Sequence, residues 1–208
     1  MSSIFNVREL YFEHKTLSPI HGEPVFDSLH AMLLEVKANL SSVPCALGGG
    51  AHGYSGAILS VTTYATLAPM TPFIVPVHPG PLSVPTGATQ YAIALSKTQH
   101  DEALKNLAEY QLFQRATIQQ VLEAINAKYV TRLRNRVTGQ VPTDIRTLIV
   151  SLFAIYGKIS PTKLREKYDS VASMVYDISE PIDMVFDAVD DLREIAELAT
   201  RPYSNIQM

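Results

Sequence analysis

The chain has 208 residues and a formal net charge of −3, which fits one domain or two small ones and argues against a strongly basic, nucleic-acid-coating module. It is 47 % hydrophobic, which is enough for a packed core. The single cysteine, Cys45, excludes an internal disulfide and a cysteine-rich zinc site and fits a reducing, cytoplasmic compartment. No apolar run approaches the roughly 18 residues of a membrane span, and the N-terminus lacks a secretory signal pattern.

The N-terminal part predicts one helix inside an otherwise irregular region. Residues 1–23 are expected to form an irregular arm. Asp27 is a candidate cap for a helix, and helical spacing defines the apolar stripe of that helix, which consists of Leu29, Met32, Leu33, Val36 and Leu40. Ser60 is predicted to cap a short segment that ends at Leu67.

The sequence predicts a glycine-rich loop after the helix that contains Leu40. Five of the ten glycines fall between Gly48 and Gly56. Such density indicates unusual backbone dihedrals or a close approach. The loop matches G-x-G-x-x-G, but no strand precedes it and no acidic residue follows about 20 positions on, so a dinucleotide site is disfavoured. We interpret it as an exposed assembly loop, and its candidate residues are Gly49, Gly50, His52, Gly53 and Tyr54.

This region also contains a serine and several histidines that could belong to a catalytic or metal site. Gly53 to Ala57 is one residue short of the G-x-S-x-G nucleophile elbow, with Ser55 as the serine. The pattern needs a strand before the serine, and no clear strand precedes it. The six histidines show no metal-ligand spacing. The sequence therefore predicts no catalytic residue, no cofactor and no metal here.

Residues 69–87 contain six prolines and must be extended. We expect this strap to lie along the helical body, because six of its residues are too apolar to remain in water: Phe73, Ile74, Val75, Val77, Leu82 and Val84. Between Val36 and His100 the chain has no Asp or Glu, which favours a packed region or an assembly surface over a solvated linker.

Residues 99–136 predict an unbroken helix longer than about 50 Å, with a bend or a second packing partner between Phe113 and Ile118. Its C-terminal end is basic and carries Lys128, Arg132, Arg134 and Arg136, which Arg146 is expected to approach. Two interpretations remain open. The cations compensate the helix dipole, or they contact a polyanion such as RNA or a phosphate-bearing metabolite. No aromatic residue was identified among them, so base stacking is not supported.

Three more helices are predicted after Pro142. Thr143 is the expected cap of a helix over residues 144–156 that is buried on most sides, and Ser160 with Pro161 begins the next. The last helix should place one stripe inward, namely Ile182, Val185, Phe186, Val189, Leu192, Ala196 and Ala199. The predicted fold is therefore all-α: a helical bundle with one long central helix and an irregular Gly/Pro-rich N-terminal half. Residues 1–98 and 99–208 are predicted either as two regions or as one continuous domain.

Two stretches resemble the Gag polyprotein of copia-type LTR retrotransposons. The first runs from Ser42 to Gly53, with Tyr64 and then Pro72 to Leu82 after it. The second contains Ile-x-x-Leu-x-x-x-Leu-x-x-x-Tyr-Gly from Ile145 to Gly157, followed by helices from Pro161 and Pro181. Together they cover about residues 25–203.

The resemblance implies a capsid-forming protein that is all-α, associates with itself in the cytoplasm, encloses RNA and has no catalytic activity. Gag usually carries a C-x2-C-x4-H-x4-C zinc knuckle that binds RNA, and this chain has one cysteine. RNA is therefore expected to be a weak partner at most. The alternatives are a helical protein-protein interaction adaptor and a small serine hydrolase that uses Ser55.

Overall fold

The computed structural model describes residues 4–84, 86–175 and 181–200. Within these ranges the chain is mostly helical and is organised around one long helix, as the sequence predicted. The described residues form eight α-helices: α1 (Ile4–Tyr11), α2 (Phe26–Ser42), α3 (Val61–Leu67), α4 (Gln90–Ala124), α5 (Ala127–Val130), α6 (Ile145–Tyr156), α7 (Pro161–Ala172) and α8 (Asp183–Thr200). None of them has the length and apolarity to cross a membrane.

The centre of the core is formed by α2, α4 and α6, which pack on one another. Six of the twelve residues of α6 are buried, so its high apolar content reflects burial on most sides, as predicted. The predicted stripe of α2 is confirmed, since Leu29, Val36 and Leu40 are fully buried. One hydrophobic cluster runs from Val7 to Ile195.

The long helix α4 exists, but its predicted bounds are wrong. It begins at Gln90 and ends at Ala124, so its 35 residues span about 50 Å. The helix is continuous between Phe113 and Ile118, and α1, α2 and α6 all pack against it. More than one packing partner therefore accounts for the shift in its apolar stripe. The boundary between the two predicted regions, at residue 98, falls inside this helix.

A contact with the N-terminal segment ends α4. The backbone N–H of Ile20 donates to the Ala124 carbonyl at 2.8 Å, and Ile20 forms an isolated parallel bridge with Ile125, which is extended. The side chain of Asn126 then accepts from the Lys128 N–H and caps the short helix α5. The chain beyond Ala124 therefore does not continue the helix, contrary to the prediction for residues 99–136.

The N-terminal arm is more regular than predicted, because α1 packs against α4. The guanidinium of Arg8 forms a 2.8 Å ion pair with Glu123 of α4. A buried amide pair holds the segment after α1: Asn39 donates to the Gln120 side chain at 2.7 Å, and both side chains bond the backbone of His14. These long-range contacts lie between residues too far apart in sequence for a periodicity argument to pair them.

The last helix is oriented differently from the prediction. Leu192 and Ile195 of α8 are buried, whereas Ile182, Phe186 and Val189, which were expected to face inward, are exposed. Ala199 lies outside the residues whose side chains the structure describes. The first turns of α8 therefore present an apolar stripe to solvent instead of to the core.

Helix starts were partly predicted. Ser60 and Ser160 cap α3 and α7 as expected, accepting from Thr63 and Lys163. Asp144, not Thr143, caps α6, because its carboxylate accepts from the Thr147 N–H at 2.8 Å. Asp27 is not a cap, since it lies in the first turn of α2.

Candidate assembly site

The glycine loop is a close-packed element that contains two 3-10 turns, Leu47–Gly49 and Ser55–Ala57. Gly53 has a φ of 49°, and a Cβ atom placed on it would lie 2.6 Å from the carbonyl oxygens of Leu40 and Ser41. No other residue fits such an approach. The glycine density therefore lets the loop pack against the end of α2.

Tyr54 is a core residue, and the expectation that it is exposed is wrong. Only 5 % of it is exposed, and its ring stacks on Phe113 of α4 with 4.2 Å between ring centroids and 8° between ring planes. Burial raises the pKa of its hydroxyl above the ordinary value. Tyr110 and Phe73 also contact the ring. Tyr54 thereby attaches the loop to the long helix.

The remaining loop residues divide between packing and exposure. The ring of His52 is half-buried and lies edge-on to Tyr64, 6.3 Å between centroids. The Tyr64 hydroxyl donates to the Gly48 carbonyl at 3.1 Å. Gly50 is exposed, with a φ of 80°. An assembly role for Gly49, Gly50 and His52 stays a prediction, but Tyr54 and the buried Gly53 offer no side chain to a partner.

Ser55 begins a 3-10 turn and does not follow a strand. Among the described residues it makes hydrogen bonds through its backbone alone. Arg146 of α6 reaches the same turn and donates to the carbonyls of Gly56 and Leu59. Arg146 therefore stabilises the glycine loop, contrary to the expectation that it approaches the basic residues.

The predicted basic residues do not form the end of one helix, because α4 stops at Ala124. Lys128 lies in α5, Arg132 in a 3-10 turn, and Arg134 and Arg136 in the turn that follows. All four side chains are exposed. The Arg134 guanidinium donates to the Gly139 carbonyl at 2.9 Å.

Aromatic rings accompany two of these cations, which the sequence interpretation missed. The Lys128 ammonium lies 4.6 Å from the centroid of the Tyr129 ring, and the Arg132 guanidinium lies 5.9 Å from that of Tyr156. Both distances are within the range of cation–π attraction. The sequence could have indicated one of these cation–aromatic pairs, since Tyr129 directly follows Lys128.

The strap follows a defined path, but most of its apolar side chains face solvent. Phe73 packs against Tyr54 and Tyr64, and a ring nitrogen of His100 lies 2.9 Å from the Gly80 carbonyl oxygen. Ile74 is 69 % exposed and Val77 is 77 % exposed. The expectation that all six apolar residues are packed inward is wrong, because five of them are exposed: Ile74, Val75, Val77, Leu82 and Val84. Pro85, included in the predicted strap, lies outside the described residues.

A groove of about 780 Å³ lies beside the strap and α4. Side chains from α1, the strap, α4 and the segment before α6 line it, including Ile4, Val75, Ile118, Leu122 and Val141. Arg115 contributes a cation, and its exposed guanidinium has no ion-pair partner among the described residues. Sequence reasoning did not find this groove, because its walls come from segments far apart in the chain.

No group of three or more metal-ligating side chains occurs in the part of the chain that the structure describes. Comparisons with protein-family models, with curated proteins and with solved structures each find no match to the chain.

Proposed function

We propose that the chain is a non-enzymatic structural protein that associates with itself in the cytoplasm, of the Gag-like, capsid-forming kind found in copia-type LTR retrotransposons. The observation that carries the proposal is the exposure of large apolar side chains in two ordered regions, the strap and the first turns of α8. Contiguous apolar surface of this kind marks sites of protein–protein contact.

The strap supplies the first of these regions. Five of its exposed apolar residues lie within one short extended segment, from Ile74 to Val84. No charged residue interrupts the sequence from Met70 to Val84. A solvated connector would be charged and polar, and the composition of the strap therefore supports a surface that another molecule covers.

The resemblance to Gag supports a second copy as that other molecule. The residues that carry it include the run from Pro72 to Leu82, which is part of the strap, and Ile145 to Gly157, which contains α6. An adaptor would use the same apolar surface for a different protein. The two functions therefore differ in what covers the strap, and this can be measured with the purified chain alone.

The test is the mass of the purified chain in solution over a wide range of concentration. We expect the weight-average mass by sedimentation velocity and light scattering to rise with concentration, and electron microscopy to show large assemblies at the upper end. A variant with Ile74→Asp and Val77→Asp should assemble less, with unchanged helical content by circular dichroism. A chain that stays monomeric at every concentration would contradict the proposal and favour an adaptor.

A further inference from the structure

One face of α8 combines apolar and acidic side chains in a regular order. Ile182, in the turn directly before α8, and Phe186 and Val189 within the helix are spaced +4 and +3 and are exposed, Phe186 by 61 %. Their spacing keeps them on one side of the helix. Leu192 and Ile195 on another side are buried. Ile195 packs on the hydrophobic core, while this stripe remains in solvent.

An aspartate directly follows each residue of the stripe, namely Asp183, Asp187 and Asp190. One step along an α-helix turns by about 100°, so the three carboxylates line the same flank of the stripe. None of them has an ion-pair partner among the described residues. The face is thus an apolar ridge with a negative border.

The groove beside the strap has the complementary character. Its wall is apolar where Val75, Ile118, Leu122 and Val141 line it, and Arg115 brings an exposed cation. Two other charged groups in its lining are already engaged, because Asp144 accepts from Thr147 and Arg146 donates to backbone carbonyls. Arg115 is therefore the group left to pair with an incoming carboxylate.

We infer that the exposed stripe of α8 from one copy of the chain lies in the groove of a second copy, with Phe186 as the main anchor and the flanking aspartates beside Arg115. Amphipathic helices bind apolar grooves through anchors at i, i+4 and i+7, which is the spacing of Ile182, Phe186 and Val189. The inference rests on the proposed self-association and assigns its interface.

Among the described residues, none of α7 or α8 lines the groove, so an α8 stripe that occupies it would belong to another copy. A second copy is favoured since the two surfaces match in both apolar character and charge. Each copy would then offer one stripe and one groove, so the contact is heterologous. Heterologous contacts build rings when the rotation closes and open chains when it does not, and both are compatible with a capsid-like assembly.

The experiment uses two defective variants of the full chain, one for each surface. Phe186→Asp removes the anchor and leaves the groove intact. Val75→Asp with Arg115→Asp disables the groove and leaves the stripe intact. All three positions are exposed, so the fold should survive, which circular dichroism checks. Each variant alone should associate at least about tenfold more weakly than the wild type, as for an interface hot spot.

Mixing the two variants tests the heterologous geometry. One intact stripe and one intact groove remain, so the mixture should form a 1:1 heterodimer and nothing larger by sedimentation velocity. Val137→Asp is the matched control, because Val137 is 93 % exposed and lies on neither surface; it should assemble like the wild type. If the two variants do not associate with each other in the mixture, the stripe of one copy does not occupy the groove of another, and the inference is wrong.

A charge exchange provides an independent test that leaves the apolar surfaces unchanged. Arg115→Asp alone and Asp190→Arg alone should each weaken association, and the two changes in one chain should restore part of it. If the variants of both surfaces assemble like the wild type, the inference is overturned while the proposed function stands. If the wild type itself does not associate, the proposed function fails first.

Discussion

At the scale of single residues, polar groups with long-range partners hold the fold together. Asn39 and Gln120 are fully buried, and their amides satisfy each other and the backbone of His14 and Lys15. A buried amide without partners costs about 1–3 kcal/mol. This pair therefore fixes how the N-terminal segment crosses α2 and α4, in one arrangement.

Tyr54 connects the glycine loop to this framework, and its hydroxyl makes stability depend on pH. Burial raises its pKa above the ordinary value of about 10, and burial raises the pKa of Tyr64 and Tyr110 as well. A raised pKa in the folded state gives a contribution that is complete at neutral pH. That contribution is lost as the pH rises above the pKa of the unfolded state toward that of the folded state.

We therefore expect the free energy of unfolding to fall as the pH rises above about 10, and to fall less steeply in Tyr54→Phe. The measurement is urea unfolding at a series of pH values. Tyr91→Phe is the control, because Tyr91 is exposed, and it should keep the wild-type slope. Equal slopes for wild type and Tyr54→Phe would show that Tyr54 does not resist ionisation.

At the scale of helices, the parts found from sequence are those that local spacing and local caps determine. The stripe of α2, the burial of α6 and the capping serines at 60 and 160 all depend on residues a few positions apart. The end of α4 depends instead on Ile20, about a hundred residues earlier in the chain. Local periodicity could not supply that information.

The same reason explains what was missed at the candidate site. Tyr54 is buried because it meets Phe113, and the groove exists because α1, the strap and α4 come together. The glycine density indicated close approach or unusual dihedrals, and the structure shows both. It did not indicate that the loop is packed, since a flexible exposed loop has the same composition.

The buried helix α6 offers a test at this scale. Ile149 is only 5 % exposed and lies between α6 and the rest of the core. A carboxylate there would be buried without a partner, so Ile149→Asp should lower the free energy of unfolding by at least about 3 kcal/mol. Urea unfolding followed by circular dichroism measures the change.

Ser151→Asp is the matched control for this substitution, because it puts the same charge on α6 at a partly exposed position. It should cost at most about 1 kcal/mol, since the carboxylate can reach water. A soluble Ile149→Asp variant with the stability of the wild type would mean that α6 is peripheral to the fold.

At the scale of the whole molecule, charge is distributed unevenly around a nearly neutral total. The net charge is −3, yet no acidic residue occurs between Glu123 and Asp144, where four exposed cations lie: Lys128, Arg132, Arg134 and Arg136. Acidic residues border the apolar stripe of α8 instead. One face can therefore attract a polyanion while the chain as a whole remains acidic.

This basic segment carries the last prediction, a weak and salt-dependent contact with RNA. Each phosphate contact to a single strand contributes a slope of about −0.7 to the dependence of log K on log salt, so four contacts give about −3. Fluorescence anisotropy with a labelled single-stranded RNA at several salt concentrations measures the slope. Removing two cations, Lys128→Ala with Arg132→Ala, should reduce it by about half.

The two cations removed are those that lie beside aromatic rings. Lys128 and Arg132 lie over the rings of Tyr129 and Tyr156, and an RNA phosphate that binds them would be held next to an aromatic surface. A control with Lys97→Ala and Lys163→Ala removes the same charge from exposed positions outside the segment. If both double variants lower the affinity equally, the attraction is a general effect of net charge and the segment is not a binding site.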